Sequence, residues 1–186
     1  EDGTREEVDA VIYATGYKTK FPFLSEDLIK QEGNRVPLYK YIFSPYIAHA
    51  HTLAFIGLVQ PLGPIMNCAE LQARWAVKLL SEPHKYRLPN AEVMLQDIER
   101  KKALNQKRFY ESDRHVISFD YYPYMDEIAR EVGCLPPFWT YFWTDPKLWW
   151  KMIFNCAGAY QYRLVGELTI QTRNNFENIR LSIVVL

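Results

Sequence analysis

Two glycine-bearing turns carry the residues best suited to chemistry. Thr15-Gly16 closes the run Val8-Asp9-Ala10-Val11-Ile12-Tyr13-Ala14, and Gln60-Pro61-Leu62-Gly63 follows the run Thr52–Val59. Gly16 has no side chain to hold a flat ligand away, and Thr15 adds a hydroxyl and a backbone N–H. Gln60 has an amide that both donates and accepts. Such residues bind and orient. Two strands that end in glycine-bearing turns suit the rim of a nucleotide-binding α/β sheet, where ligands sit at the carboxyl ends of strands. The competing readings are a core strand closed by a tight turn and a loop glutamine bonded to its own backbone. No His, Cys or acid pair forms a catalytic set, and His49, His51, His84 and His115 read as surface residues rather than ligands.

Several elements must position these turns. The β-branched run at Val8–Tyr13 predicts one buried strand and Thr52–Val59 a second. Phe21-Pro22-Phe23-Leu24 should pack on the sheet, Glu32-Gly33-Asn34 reads as a turn, and Val36–Phe43 reads as an edge strand because Pro37 cannot donate to a central ladder. Gln60–Pro64 reads as loop, since its prolines and glycine oppose both helix and ladder. Asn67 and Glu70 predict an Asn version of the capping box, opening a helix over Cys68–Leu80 with Leu71, Trp75 and Leu79 on one face and a Glu70–Arg74 pair outside. Asn90 can cap a surface helix from Ala91 to about Ser112, with Ala91, Met94, Leu95, Ile98 and Leu104 as its uneven apolar stripe. Tyr124–Val132 reads as a helix with Met125, Ile128, Ala129 and Val132 inward and Gly133 just past its end. Asp145-Pro146 marks the start of another that runs to Phe154.

Composition narrows the class. The 186 residues suit one domain or part of a larger one, and 22 basic residues balance 22 acidic ones, so no long-range field favours nucleic acid or an anionic surface. Cys68, Cys134 and Cys156 lie far apart, with no CxxC and no His at ligand spacing, which argues against a disulfide scaffold or a metal site and suits a reducing compartment. No eighteen-residue apolar run spans a bilayer, and the apolar Ile179–Leu186 is too short to do so. Glu1-Asp2-Gly3-Thr4 reads as a hairpin turn, which implies an earlier strand. GxGxxG is absent. A dinucleotide site needs that turn to bring N–H groups to the pyrophosphate, so the chain is expected to carry at most half of a cofactor site and not to hold FAD alone.

Tyr13-Ala14-Thr15-Gly16-Tyr17 resembles a segment of the flavin-containing monooxygenases. Leu38-Tyr39-Lys40, Gly57–Gly63, Glu70-Leu71-Gln72, Arg74-Trp75 and Thr144-Asp145-Pro146-Lys147-Leu148 resemble further blocks of the microsomal animal members, in the same order. The resemblance covers about residues 1 to 166. It implies the carboxyl-terminal part of a longer enzyme. In that family reduced flavin and O2 give a C4a-hydroperoxyflavin that oxygenates soft nitrogen or sulfur in small lipophilic nucleophiles. The resemblance therefore implies FAD and NADPH as cofactors, with Thr15, Gly16, Gln60, Leu62 and Gly63 beside them, and no residue of this chain in a catalytic role. The rivals are a Baeyer–Villiger-type flavin monooxygenase and a truncated, non-catalytic product.

The expected fold is α/β: residues 1–82 end a FAD-binding Rossmann-like domain, residues 83–166 form a helical carboxyl-terminal region, and residues 167–186 diverge. Tyr162-Arg163-Leu164-Val165-Gly166 fits the family, but the residues after it do not, and its terminal membrane helix has no counterpart here. By resemblance the full enzyme resides at the endoplasmic reticulum membrane. Phe138–Trp143 and Leu148-Trp149-Trp150 are dense in aromatics, suited to a core, a substrate channel or a membrane interface. Trp149 and Trp150 are neighbours about 100° apart on a helix, so they should not both be fully buried. Contact with a membrane surface in the complete enzyme is expected through at least two of Trp139, Trp143, Trp149 and Trp150.

Overall fold

A computed structural model describes residues 3, 5–16, 18–108, 118–154 and 159–166. Within them five α-helices accompany one small sheet: α1 (Ile65–Ser81), α2 (Ala91–Arg108), α3 (Tyr121–Val132), α4 (Phe138–Thr144) and α5 (Pro146–Phe154), with β1 (Gln60–Pro61) parallel to β2 (Ser118–Phe119). The architecture is mixed helix with little sheet.

The core forms where α1 meets α3. Leu71, Trp75 and Leu79 turn inward as their spacing predicts, joined by Cys68 and Ala76, and α3 answers with Tyr124, Met125, Ile128 and Ala129. Val132 is only half-buried. Tyr39, Ile42 and Phe43 cover the end of this seam, with Phe43 edge-on to Trp75 at 5.2 Å between ring centres. Tyr162 closes the other side, donating from its hydroxyl to Asp126 Oδ1 at 2.8 Å. A second, smaller cluster gathers Ile29, Val36, Leu38 and Phe55. Phe21 and Leu24 pack against it, whereas Phe23 is exposed.

Helix ends follow local chemistry in three places. Asn90 Oδ1 accepts the Val93 N–H at 2.9 Å, and Asp145 Oδ1 accepts the Leu148 N–H at 3.0 Å with Pro146 in the first turn. Gly133 ends α3 at φ 82°, and its N–H donates to Ala129 and Arg130 carbonyls. Helix α3 begins earlier than its apolar pattern indicates, at Tyr121, because Pro123 lies in the first turn where no N–H is needed. Met94 alone of the α2 stripe is buried. Positions 109–112, the expected end of that helix, lie outside the described residues, as do most of the expected hairpin at 1–4 and the tail 167–186.

The strand expectations need correction. Val8–Tyr13 forms no ladder, and Ile12 and Tyr13 are 90% and 85% exposed. A strand exists through its partner, and no partner for this run lies among the described residues. Thr52–Val59 is likewise not a continuous strand. It opens in a 3-10 turn over Ala50–Thr52, makes one bridge from Ala54 to Phe43, and is broken by Gly57 at φ 80°. The expected edge strand at Val36–Phe43 is a tight turn: Tyr39 bridges Phe43, with Lys40 and Tyr41 at φ 50° and 60°. Left-handed backbone costs about 1–2 kcal/mol for each such residue. Gln60-Pro61 errs the other way. It lies in the ladder despite its proline, because the ladder uses the next N–H, Leu62 to Phe119 O at 3.2 Å.

The helix before the core is also corrected. Helix α1 starts after Pro64 and not at an Asn67 cap. Asn67 already lies in the first turn, and its Nδ2 donates to the Tyr121 hydroxyl at 3.0 Å. Glu70 does not return to the helix start but pairs with Arg163, and Arg74 donates to the Tyr162 carbonyl at 3.1 Å.

Candidate functional site

The loop Gly57–Gly63 is fastened along its length before it enters α1. Its first residue donates from Gly57 N–H to Gln72 Oε1 at 2.8 Å. Its middle is held by the β1–β2 ladder. At its end, Gly63 lies against Tyr121, and a Cβ on Gly63 would stand 2.7 Å from that ring. The result is a helix N-terminus presented by a rigid loop. Among the described residues no side chain caps α1 at Pro64, so its first-turn N–H groups can meet an acceptor outside the helix. Around that end Leu62, Ile65 and Met66 are exposed apolar side chains, while Gln60 is half-buried.

Thr15 and Gly16 stand elsewhere. They line an open hollow of about 1110 Å³ together with Lys18, Lys20, Lys30 and Gln31. Its wall is self-braced: Thr19 N–H donates to Asn34 Oδ1 at 3.0 Å, and Gln31 Nε2 donates to the Thr19 carbonyl. Gly16 has φ 81°, and a Cβ there would meet nothing within 4 Å. Gln60, Leu62 and Gly63 do not line this hollow. The described residues thus bring the predicted site residues into two groups, Thr15 with Gly16 and Gln60 with Leu62 and Gly63, and do not join them.

Sequence reasoning missed the residues that support the second group. Gln72 is fully buried and its Nε2 donates to the Tyr124 hydroxyl at 2.7 Å; that hydroxyl donates to the Lys40 carbonyl at 2.9 Å. Burial holds the Tyr124 hydroxyl well above the ordinary tyrosine range, so it stays a neutral donor. The available signal was positional: Gln72 lies at i+4 from Cys68 and three before Trp75, a polar residue in the middle of an apolar helix face. Lys40 adds a buried charge. Its Nζ pairs with Glu131, lies 3.6 Å from Glu127, and sits 5.3 Å from the centre of the Trp75 ring. Burial pulls its pKa down, but the carboxylates outweigh that and raise it, so the ammonium persists.

Comparison with known proteins adds what geometry alone does not carry. Residues 1–175 match the flavin-binding monooxygenase-like family. The chain belongs to that family. It is 44% identical over 167 residues to dimethylaniline monooxygenase [N-oxide-forming] 2 of Rattus norvegicus and to flavin-containing monooxygenase 2 of Homo sapiens. It is 46% identical over the same length to flavin-containing monooxygenase 5 of Cavia porcellus. Each alignment covers 89% of this chain and 31% of the relative, so the chain spans about a third of those proteins. The family match also runs past Gly166, where the recognisable motifs stop.

The late aromatics of this flavin-binding monooxygenase-like chain lie on α4 and α5, which pack on each other. Trp149 is half-buried, its ring 4.9 Å from Phe142, and Met152 is the buried anchor of α5. Trp139, Trp143 and Trp150 point outward at 77%, 80% and 58% exposure. Trp149 is thus the more buried of the two neighbours, and Trp150, though exposed, has its ring 4.1 Å from that of Phe154. Lys147 and Lys151 are exposed beside them. No described helix is long and apolar enough to cross a membrane.

Proposed function

We propose that this chain is the carboxyl-terminal part of an NADPH- and O2-dependent flavin monooxygenase that oxygenates soft nitrogen or sulfur in small lipophilic molecules. In this reading residues 1–82 end a Rossmann-like FAD domain, and residues 83–166 form a helical carboxyl-terminal region. The observation that carries the reading is the uncapped N-terminus of α1 presented by the fastened loop Gly57–Gly63. The residues fit the cofactors. The first-turn N–H groups can stabilise negative charge on a reduced ring, and Gly16 leaves open space where a Cβ would stand. When bound and reduced by NADPH, FAD supplies the electrons and the reactivity toward O2.

The chain's own part is to bind, orient and exclude water. Gln60 can both donate to and accept from a carboxamide, which suits the nicotinamide end of NADPH. Leu62, Ile65 and Met66 give an apolar rim that keeps water from the reacting atoms. Thr15 offers a hydroxyl at the other turn. No side chain of this chain is assigned a proton transfer.

The same reading places the complete enzyme at the endoplasmic reticulum membrane. The outward Trp139, Trp143 and Trp150 with Lys147 and Lys151 suit an interfacial surface, indoles at the acyl boundary and ammonium groups toward head groups.

A chimera tests the function. Residues 1–166 replace the matching segment of the rat relative, which supplies the remaining length. The purified chimera should retain FAD and consume NADPH in step with formation of dimethylaniline N-oxide. A folded, FAD-bound chimera that forms no N-oxide but converts a cyclic ketone to a lactone would move the assignment to the Baeyer–Villiger class. One that forms neither product would make the segment non-catalytic.

A further inference from the structure

Gln72 and Tyr124 form a one-way hydrogen-bond relay between the Gly57 loop and the Lys40 turn, two segments that the Phe43–Ala54 bridge and the Phe55 N–H to Ile42 carbonyl bond at 2.9 Å already bring side by side. Gly57 N–H donates to Gln72 Oε1 at 2.8 Å, Gln72 Nε2 to the Tyr124 hydroxyl at 2.7 Å, and that hydroxyl to the Lys40 carbonyl at 2.9 Å. A backbone N–H can only donate and a carbonyl can only accept, so the amide and the hydroxyl between them have a single consistent orientation. Both side chains are buried in the α1–α3 seam. One end needs outside support: Gly57 takes its φ of 80° without strain, whereas Lys40 and Tyr41 are consecutive non-glycine residues at φ 50° and 60°. Outliers of this kind persist only where surrounding structure over-determines them.

We propose that Gln72 and Tyr124 are positioning residues: their relay sets the loop Gly57–Gly63 in register with the Lys40 turn, and so holds Gln60 where it meets the nicotinamide end of NADPH. The proposal rests on the function given above. Neither residue touches the cofactor; both act through Gln60. Gln60 comes three residues after Gly57 and itself opens the β1–β2 ladder opposite Ser118, and Leu62 follows the ladder, so the relay and the ladder fix the two ends of a three-residue span and a shift at Gly57 is not absorbed by a free loop. The relay is also specific in sign. Glutamic acid in place of Gln72 keeps the shape, but as a carboxylate it accepts from both neighbours. The Gly57 bond then survives, Tyr124 turns its proton toward residue 72, and the Lys40 carbonyl loses its donor.

The test has one arm on the full chain and one on the chimera. On the chain, amide hydrogen exchange is followed residue by residue in wild type, Tyr124→Phe and Gln72→Glu. Tyr124→Phe should speed exchange at Gly57 and Leu62 by roughly tenfold, the loss of one net hydrogen bond. Gln72→Glu should leave Gly57 protected and speed exchange at Ile42 and Phe43 in the turn. Tyr124→Phe also removes the donor to the Lys40 carbonyl and so should speed the turn as well, whereas a role confined to packing would move both ends in Gln72→Glu too. In the chimera, Tyr124→Phe should raise the KM for NADPH by a similar factor with FAD content kept and kcat little changed. Unchanged exchange in Tyr124→Phe overturns the proposal, and so does faster exchange with an unchanged KM. If the wild-type chimera turns over no NADPH, the proposed function fails. The exchange arm then still decides whether the relay holds the loop.

Discussion

Gly63 and Tyr121 are in direct apposition: a Cβ on residue 63 would stand 2.7 Å from Tyr121 Cδ2 and 2.8 Å from Cγ. The obstacle is the root of a ring and not the far end of a flexible chain, so the neighbour cannot step aside cheaply. Gly63→Ala should therefore destabilise the chain by about 1–3 kcal/mol, the usual cost of overpacking. Urea melts of the two proteins measure it. A difference near zero would mean that the loop before α1 yields and does not present that helix rigidly.

Asn67 gives a second prediction because its role differs from its sequence signature. As a cap it would act through the helix; in the structure its amide donates to the Tyr121 hydroxyl. Asn67→Ala should cost about 0.5–1.5 kcal/mol in the wild type and almost nothing in a Tyr121→Phe background. Equal losses in both backgrounds would return Asn67 to a capping role.

That contrast also shows what the sequence could and could not reveal. Asn90, Asp145-Pro146 and Gly133 act on N–H and C=O groups within a turn of themselves, so their function is legible in a short window. The inward face of Leu71, Trp75 and Leu79 is legible for the same reason, being a matter of spacing. Asn67 is not, since Tyr121 lies 54 positions away and competes for its side chain. Strands fail similarly. Val8–Tyr13 has strand composition, but a ladder needs a partner, and none lies among the described residues. Pro61 shows the reverse, a residue that opposes pairing and yet pairs because the register calls on Leu62 instead. For the candidate site, the motif drew attention to Gln60 and Gly63. The buried Gln72 and Tyr124 that hold their loop came only from contacts across the core.

Asp97 links stability to pH. Burial alone would raise its carboxyl pKa, but hydrogen bonds and charge from Arg100 and Lys101 outweigh burial and lower it. A carboxyl with a depressed folded pKa contributes stability that is present above its unfolded pKa, about 3.9, and lost as pH falls through the folded value. The chain should thus lose stability on acidification below about pH 4 in part through this group. Asp97→Asn should be less stable than wild type at pH 7, with the gap narrowing toward pH 2. Melting curves across that range check it, and a constant gap would show that the ionised form is not what matters.

The outward tryptophans allow the membrane proposal to be tested against simple packing. Trp139, Trp143 and Trp150 are exposed, whereas Trp149 rests on Phe142. If the first three serve an interface, replacing them with Ser removes apolar area that faces away from the core, so the fold should be little affected. If Trp149 serves the α4–α5 contact, Trp149→Ser should lower stability by roughly 3 kcal/mol or less, since a half-buried ring loses less than a fully buried one. The two sets should therefore separate. The triple variant should lose binding to liposomes at nearly unchanged melting temperature, and Trp149→Ser should lower the melting temperature while the protein that remains folded still binds. Lys147 and Lys151 add a further sign: their attraction should make wild-type binding stronger on vesicles with anionic lipid and weaker as salt rises. Liposome binding that survives in the triple variant would remove these tryptophans from any membrane contact.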